Sequence, residues 1–224
     1  MKTGVPIHLT PGAHGLPREV VKAVQRERML DAIAEVAARD GYASTTVAKV
    51  VAAAGVSRKT FYEQFANKEE CFLAAYDETI EHVLEIIATE YGRPAVLRTR
   101  VRRGLQAFLR FCAAEPARAR LCIVEVLAAG PAALERRVTT MKRFARFVET
   151  VREDVPGEAA APSLAAEAAV GGIAEILYSR LLEGQAEELP ELTDAIMRSQ
   201  LGLLMRRRSV RYVEKHGAES AQRA

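Results

Sequence analysis

Apolar residues recur at helical spacing almost from end to end of this chain. Nowhere do Val, Ile and Thr alternate with polar residues over the length of a strand. Leu30, Ile33, Ala34 and Ala37 form the inner stripe of a first helix over about 18–40, and Gly41 is placed to stop it. Thr45 is set to cap a second helix that ends at Gly55, with Ala48, Val51 and Ala52 inward. Ser57 caps a third over about 58–64, with Val56 and Phe61 inward. Asn67, with Glu70 three residues on, marks the start of a fourth, which runs to about Tyr91 before Gly92 and Pro94 interrupt. Beyond Pro94 the pattern predicts longer helices over about 95–114, 117–128, 131–154, 163–187 and 191–215. Pro116, Pro131, Pro156, Pro162 and Pro190 sit at or just inside their boundaries. Residues 155–162 read as a loop. The expected fold class is all-α, with about nine or ten helices: a flexible arm over 1–17, a three-helix helix-turn-helix domain over 18–66, a larger helical domain over 67–216 and a flexible tail over 217–224.

Composition narrows the function classes. Charged residues make up 27% and apolar residues 49% of 224, an ordinary globular balance. No apolar run approaches the roughly 18–20 residues of a membrane span. The first 17 residues, broken by Gly4, Pro6, Pro11, Gly12 and Gly15, lack the apolar core of a signal peptide, so a cytosolic location is expected. Cys71, Cys112 and Cys122 are odd in number and show no CxxC spacing, and His8, His14, His82 and His216 are scattered. Neither a metal site, a disulfide framework nor a bound cofactor is expected, and a helical enzyme lacks its cluster of nucleophile and base. A thiol switch built from Cys112 and Cys122, on either side of the break at Pro116, stays open, although apolar surroundings argue against reactive thiolates.

The net charge of +3 says little; where the cations sit says more. The third helix opens with Ser57-Arg58-Lys59-Thr60, which puts small hydroxyls and two cations at the start of the second helix of a helix-turn-helix. That is where such a motif contacts base edges and phosphates in the major groove. Arg58 and Lys59 project in different directions, so one can read a guanine edge while the other meets a phosphate. Tyr62, one turn on, offers a hydroxyl to a phosphate. Thr45, Thr46 and Lys49 at the second helix and Lys68 at the fourth are placed to hold the flanking strand. Each of these residues has a bland alternative as cap, rim or solvated charge. Their conjunction with a Gly turn and the pair Phe61 and Phe65 points to double-stranded DNA.

Gly41-Tyr42, Thr45-Thr46-Val47, Ala53-Ala54-Gly55-Val56-Ser57, Thr60-Phe61-Tyr62, Phe65 and Asn67-Lys68-Glu69 closely resemble the DNA-binding domain of TetR-family transcriptional regulators. The match covers about residues 26–75. It implies an all-helical protein whose first three helices read DNA and whose remainder binds a ligand and dimerises. Lys49 stands where many members carry an acidic residue, Val50 replaces a commoner Ile, and Glu63 and Gln64 add polar groups near the reader helix. These departures bear on which operator is read.

The rest of the chain is less explicit. The resemblance implies that the last two helices of two subunits form a four-helix interface, for which Ala169, Ile173, Ile176, Leu192, Ile196 and Leu203 are candidates. Gly171 and Gly172 cost helix propensity, about 1 kcal/mol each. Close approach of a partner helix and packing inside one subunit explain them equally. Two reader helices about 34–36 Å apart would read a palindromic operator. Phe108, Phe111, Cys112, Met141, Phe144, Phe147 and Tyr178 either line a pocket for a small, apolar effector or belong to an ordinary core. Arg98, Arg100, Arg102, Arg103 and Arg110 are either a solvated face or a site for an anionic ligand. The expected function is a ligand-responsive repressor that releases its operator when the effector binds.

Overall fold

The computed structural model describes residues 17–153 and 164–201 of the chain. Among them the elements are α1 (Arg18–Asp40), α2 (Val47–Ala54), α3 (Arg58–Tyr62), α4 (Lys68–Gly92), α5 (Leu97–Ala114), α6 (Pro116–Ile123), α7 (Pro131–Glu153), α8 (Leu164–Leu182) and α9 (Thr193–Ile196). Short 3-10 turns over Glu125–Ala128 and Ala186–Leu192 and a π turn over Met197–Leu201 complete them, and the described residues contain no strand.

Local chemistry sets the first boundaries. α1 ends where the Gly41 N–H returns to the Ala37 carbonyl, with Gly41 at φ 79°. The chain then reverses through Tyr42 and Thr45. The cap of α2 is Thr46, whose hydroxyl accepts from the Lys49 N–H, and not Thr45 as the sequence suggested. Thr45 is 1% exposed and donates its hydroxyl to the Gly41 carbonyl at 2.9 Å, so it closes the reversal instead. Gly55 stops α2 in the left-handed conformation, at φ 62° and ψ 39°. Its N–H bonds to Ala52 and that of Val56 to Val51, the paired return that such a glycine permits. Ser57 caps α3 through the Thr60 N–H, and Asn67 caps α4 through the Glu70 N–H. The Glu70 carboxylate returns to the Ala66 N–H at 2.6 Å, a reciprocal arrangement that defines where α4 begins.

Three expected helices come out shorter. The one over 117–128 divides into α6 and a 3-10 turn, the one over 163–187 ends before Gly184 at φ 75°, and the one over 191–215 is replaced, as far as Leu201, by a succession of short turns. The arm over 1–16, the loop over 155–162, the extension beyond 201 that holds Leu203, and the tail lie outside the described residues.

Two apolar clusters organise the packing. Met29, Leu30 and Ile33 of α1, Val50 of α2, Phe61 and Phe65 flank the first half of α4 at Phe72 and Tyr76. The same cluster takes in Leu121 and Cys122 of α6 and Val126 of the turn after it. Val83 and Ile87 of α4 join α5, α8 and α9 in the second. α4 and α6 therefore serve both clusters, and the amino-terminal helices have no core of their own. No helix of the described residues is long and apolar enough to cross a membrane.

Gly55 is where the backbone tolerates least. A Cβ there would lie 2.5 Å from the Arg28 guanidinium, on a backbone that disfavours L side chains. Gly55→Ala is expected to lower unfolding free energy by about 1–2 kcal/mol, read as a lower urea midpoint at unchanged slope.

Candidate DNA-binding and ligand sites

α3 is short and is held from beneath. Phe61 is fully buried and Phe65 nearly so, their ring centroids 5.6 Å apart, and the Arg26 guanidinium lies 4.7 Å over the Phe65 ring. Tyr62 packs edge-on against Phe61 and remains 57% exposed. Arg58 is exposed and makes no hydrogen bond or ion pair among the described residues. Lys59 reaches only the Glu63 carboxylate, at 4.0 Å, with 88% of its side chain exposed. An exposed pair that long holds the lysine weakly. Ser57 and Thr60 share a hydroxyl hydrogen bond of 2.9 Å in addition to the cap, so both hydroxyls are partly committed to α3 itself. The outward surface is thus Arg58, Lys59 and Tyr62, with the Thr46 cap exposed on α2.

Two cations expected beside them are engaged elsewhere. Lys49 donates to Asp40 at 2.8 Å and to the Ser44 carbonyl at 3.0 Å. Arg39 and then Lys49 hold the Asp40 carboxyl well below the usual carboxylate range. Lys68 is half-buried and donates to the Tyr42 and Thr45 carbonyls at 3.0 and 2.9 Å, with its ammonium 4.3 Å over the Tyr42 ring. It ties the start of α4 to the α1–α2 reversal. Its ammonium thus already has two carbonyl partners within the protein.

A cavity of about 220 Å³ lies between α4, α5, α6, α7 and α8. Phe108, Phe111, Cys112, Met141, Phe144, Phe147 and Tyr178 all line it. Phe108 and Phe144 stack at 6.1 Å, and Tyr91 meets Phe147 edge-on at 5.1 Å. Cys112 and Cys122 also face the cavity. Burial pushes the Cys112 thiol up to about 12 and raises Cys122 as well. Their thiolates are disfavoured at neutral pH, which weakens the thiol-switch alternative.

Residues 29–75 match the family model described as bacterial regulatory proteins, tetR family. The fatty acid degradation regulator FadR from Bacillus halodurans has the same fold, with a TM-score of 0.70 over 79% of this chain and 97% of that one at 19% identity. FadR from Bacillus subtilis, solved in complex with stearoyl-CoA, gives 0.70 over 80% and 97% at 20% identity. The amino-terminal helices are thus similar to those of the tetR family, and the fold of the chain to that of these regulators. A TetR-like transcriptional regulator from Rhodococcus sp. RHA1 gives a TM-score of 0.66 over 84% of this chain and 98% of that one, at 23% identity. No curated protein sequence matches the chain. The matched residues span α2 and α3 together with the second half of α1 and the start of α4.

The helix-turn-helix and the cavity are joined through α6, by residues that sequence reasoning missed. The Glu125 carboxylate, on a residue 6% exposed, accepts the Tyr42 N–H at 2.8 Å and the Arg120 guanidinium at 3.2 Å. Arg120 also donates to the Leu181 carbonyl near the end of α8, at 3.0 Å. Arg118 reaches Asp31 at 2.7 Å and Glu27 at 2.9 Å on α1, and Thr79 on α4. Nothing local signals these contacts, since Glu125 and Tyr42 are 83 residues apart. An uncompensated Glu between Val124 and Val126, in an otherwise apolar stretch, was the available cue.

The expected dimer residues point largely inward. Ala169 and Ile196 are buried in the protomer, Ile173 lines the cavity, and Ile176 and Leu192 pack on the second cluster. Ala169 and Ile196 consequently offer a partner no surface. Gly172 serves close packing within the subunit, since a Cβ there would meet the Gln200 side chain at 2.3 Å, whereas Gly171 faces open space.

Replacing Lys68 by Met removes the donor from two carbonyls while keeping the aliphatic stem. It is expected to cost about 1–3 kcal/mol of stability, seen as a lowered thermal midpoint in the absence of DNA.

Proposed function

We propose that the chain acts in the cytoplasm as a homodimeric repressor that reads a palindromic operator and releases it on binding a small apolar effector. The observation that carries this reading is a pair of exposed cations, Arg58 without a partner among the described residues and Lys59 held only weakly by Glu63, on a helix seated on the same core as the cavity helix α6. Arg58, Lys59 and Tyr62 make the base and phosphate contacts of the reader helix, and Thr46, with the free N–H groups at the start of α2, holds the flanking phosphate. Ser57 and Thr60 shape the helix start and contact DNA secondarily. Residues 18–66 contribute the reader, and the remaining helices contribute the effector site and the dimer contact.

The effector occupies the cavity lined by Phe108, Phe144 and Phe147. The Bacillus subtilis regulator of the same fold was solved in complex with stearoyl-CoA, whose acyl chain is the kind of apolar group that this cavity would take. The dimer face is the solvent side of α8, where Leu164, Ala168, Gly171 and Leu182 fall at helical spacing. Leu164 is 68% and Leu182 51% exposed, and Gly171 leaves room for a closely approaching helix. Two readers then address half-sites about 34–36 Å apart. An effector that favours a different setting of α6 alters that match, and its differential affinity for the two settings limits the size of the response.

Two experiments test this. Operator fragments are first selected from random DNA with the full chain. The double variant R58A/K59A is expected to lose at least tenfold in affinity for them at an unchanged thermal midpoint; undiminished binding would overturn the reader assignment. Glu125→Gln keeps an acceptor for the Tyr42 N–H but removes the charge that holds Arg120. It is expected to leave operator affinity within a few-fold, while the ratio of affinities with and without effector, typically about 5–150-fold in such systems, shrinks towards one. An unchanged ratio would show that the signal bypasses Glu125.

A further inference from the structure

The cavity is not uniformly apolar. Arg137 and Thr140, one turn apart on α7, and Tyr76 on α4 all contribute to its wall. Tyr76 is 1% exposed, Thr140 8%, and Arg137 is half-buried. Arg137 makes no hydrogen bond or ion pair among the described residues, whereas its neighbour Arg136 is paired with Asp77 on α4. Burial pushes the Tyr76 phenol up to about 12, with Thr140 first and Arg137 among the groups that act the other way. The three polar groups line the same cavity, and at neutral pH the phenol keeps its proton and can donate it. The other charged residue on the wall, Glu175 on α8, is exposed and keeps its hydration. An arginine on a cavity wall with no ion pair to a protein carboxylate is poorly compensated, and a ligand anion supplies what is missing.

We infer that the effector is an amphipathic acid, an apolar chain or ring system bearing one carboxylate, with its body against Phe108, Phe144 and Phe147 and its carboxylate on Arg137. This rests on the cavity being the effector site. The guanidinium fork matches the two carboxylate oxygens, and Tyr76 and Thr140 supply hydroxyl donors on the wall of the same cavity. The aromatic wall makes the selectivity two-sided: a short polar acid lacks the apolar contact, and a neutral chain leaves Arg137 unpaired.

The test uses the full chain and displacement of N-phenyl-1-naphthylamine, a neutral apolar fluorophore, by four probes of equal chain length: decanoate, decyl phosphate, decanol and decylammonium. Decanoate is expected to bind at least tenfold more tightly than decanol, with decyl phosphate weaker than decanoate and decylammonium weakest. Arg137→Gln is expected to abolish the preference for decanoate over decanol while leaving decanol and the fluorophore unchanged. Tyr76→Phe, which keeps the buried ring, is expected to weaken decanoate several-fold and decanol not at all; it carries the test if Arg137→Gln fails to fold. Equal binding of decanoate and decanol, tighter binding of decylammonium or of decyl phosphate, or retention of the decanoate preference in both variants would overturn the head-group assignment while leaving the cavity as a ligand site. Failure of the fluorophore and of all four probes to bind would overturn the effector site itself.

Discussion

A buried carboxylate can be kept in a protein only if the surrounding groups answer it, and in this chain Glu125 imposes that condition on three separate elements. Its oxygens need the Tyr42 N–H from the α1–α2 reversal and the Arg120 guanidinium from α6, and Arg120 in turn reaches the Leu181 carbonyl of α8. Removing one member of such a set leaves an uncompensated charge, at a cost of roughly 3–5 kcal/mol. The reversal, α6 and the end of α8 are thereby held in one relative setting, although the apolar contacts around them are non-directional and would tolerate small slips. Arg118 adds a second tie from α6 to α1 and α4, in a more exposed place where ion pairs contribute less.

The same logic sorts the cations around the reader. Lys49 and Lys68 lie beside carbonyls or a carboxylate left by the α1–α2 reversal, and the backbone there takes up their charge. Arg58 and Lys59 lie on the far side of α3, where no carbonyl ends a helix and the nearest carboxylate is Glu63 at 4.0 Å. A lysine spent on structure holds α3 in place, and an arginine left unengaged keeps its donors for a partner outside the protomer. In the sequence both look like cations at the start of a helix.

This difference marks where the sequence was legible. Helix ends governed by neighbours in the chain could be read directly: Gly55 as a left-handed stop, Ser57 and Asn67 as caps. The adjacent hydroxyls of Thr45 and Thr46 could not be ranked, because the choice depends on a reversal that buries Thr45 against Gly41. The bulky residues around the cavity were visible because aromatic side chains at helical spacing must face inward somewhere. The direction of α8 was not, because Ala169, Ile173 and Ile176 on one side and Leu164, Gly171 and Leu182 on the other are apolar alike. A helix apolar all round does not declare its inner face. The structural partners of Lys68 were hidden for a related reason, as its acceptors lie 26 and 23 residues away.

α6 resolves the remaining question of how a cavity inside one cluster is felt at a surface served by the other. Its eight residues place Ala119, Cys122 and Ile123 on the cavity wall and Arg118 and Arg120 on the ties to α1, Tyr42 and α8. One short helix thus carries both sets of contacts, and it is too short to bend between them. A ligand that displaces the apolar side of α6 must move the arginines as well. The close-packed core offers no slack in which that displacement could be lost. What limits the response is the differential affinity of the ligand for the two settings of α6 and not the tightness of binding as such, since equal affinity for both would leave the reader where it was. A polar corner formed by Arg137, Tyr76 and Thr140 bears on that difference. Tyr76 belongs to the same apolar cluster as Leu121 and Cys122 of α6, so a head group engaged there acts on the helix that the reader depends on.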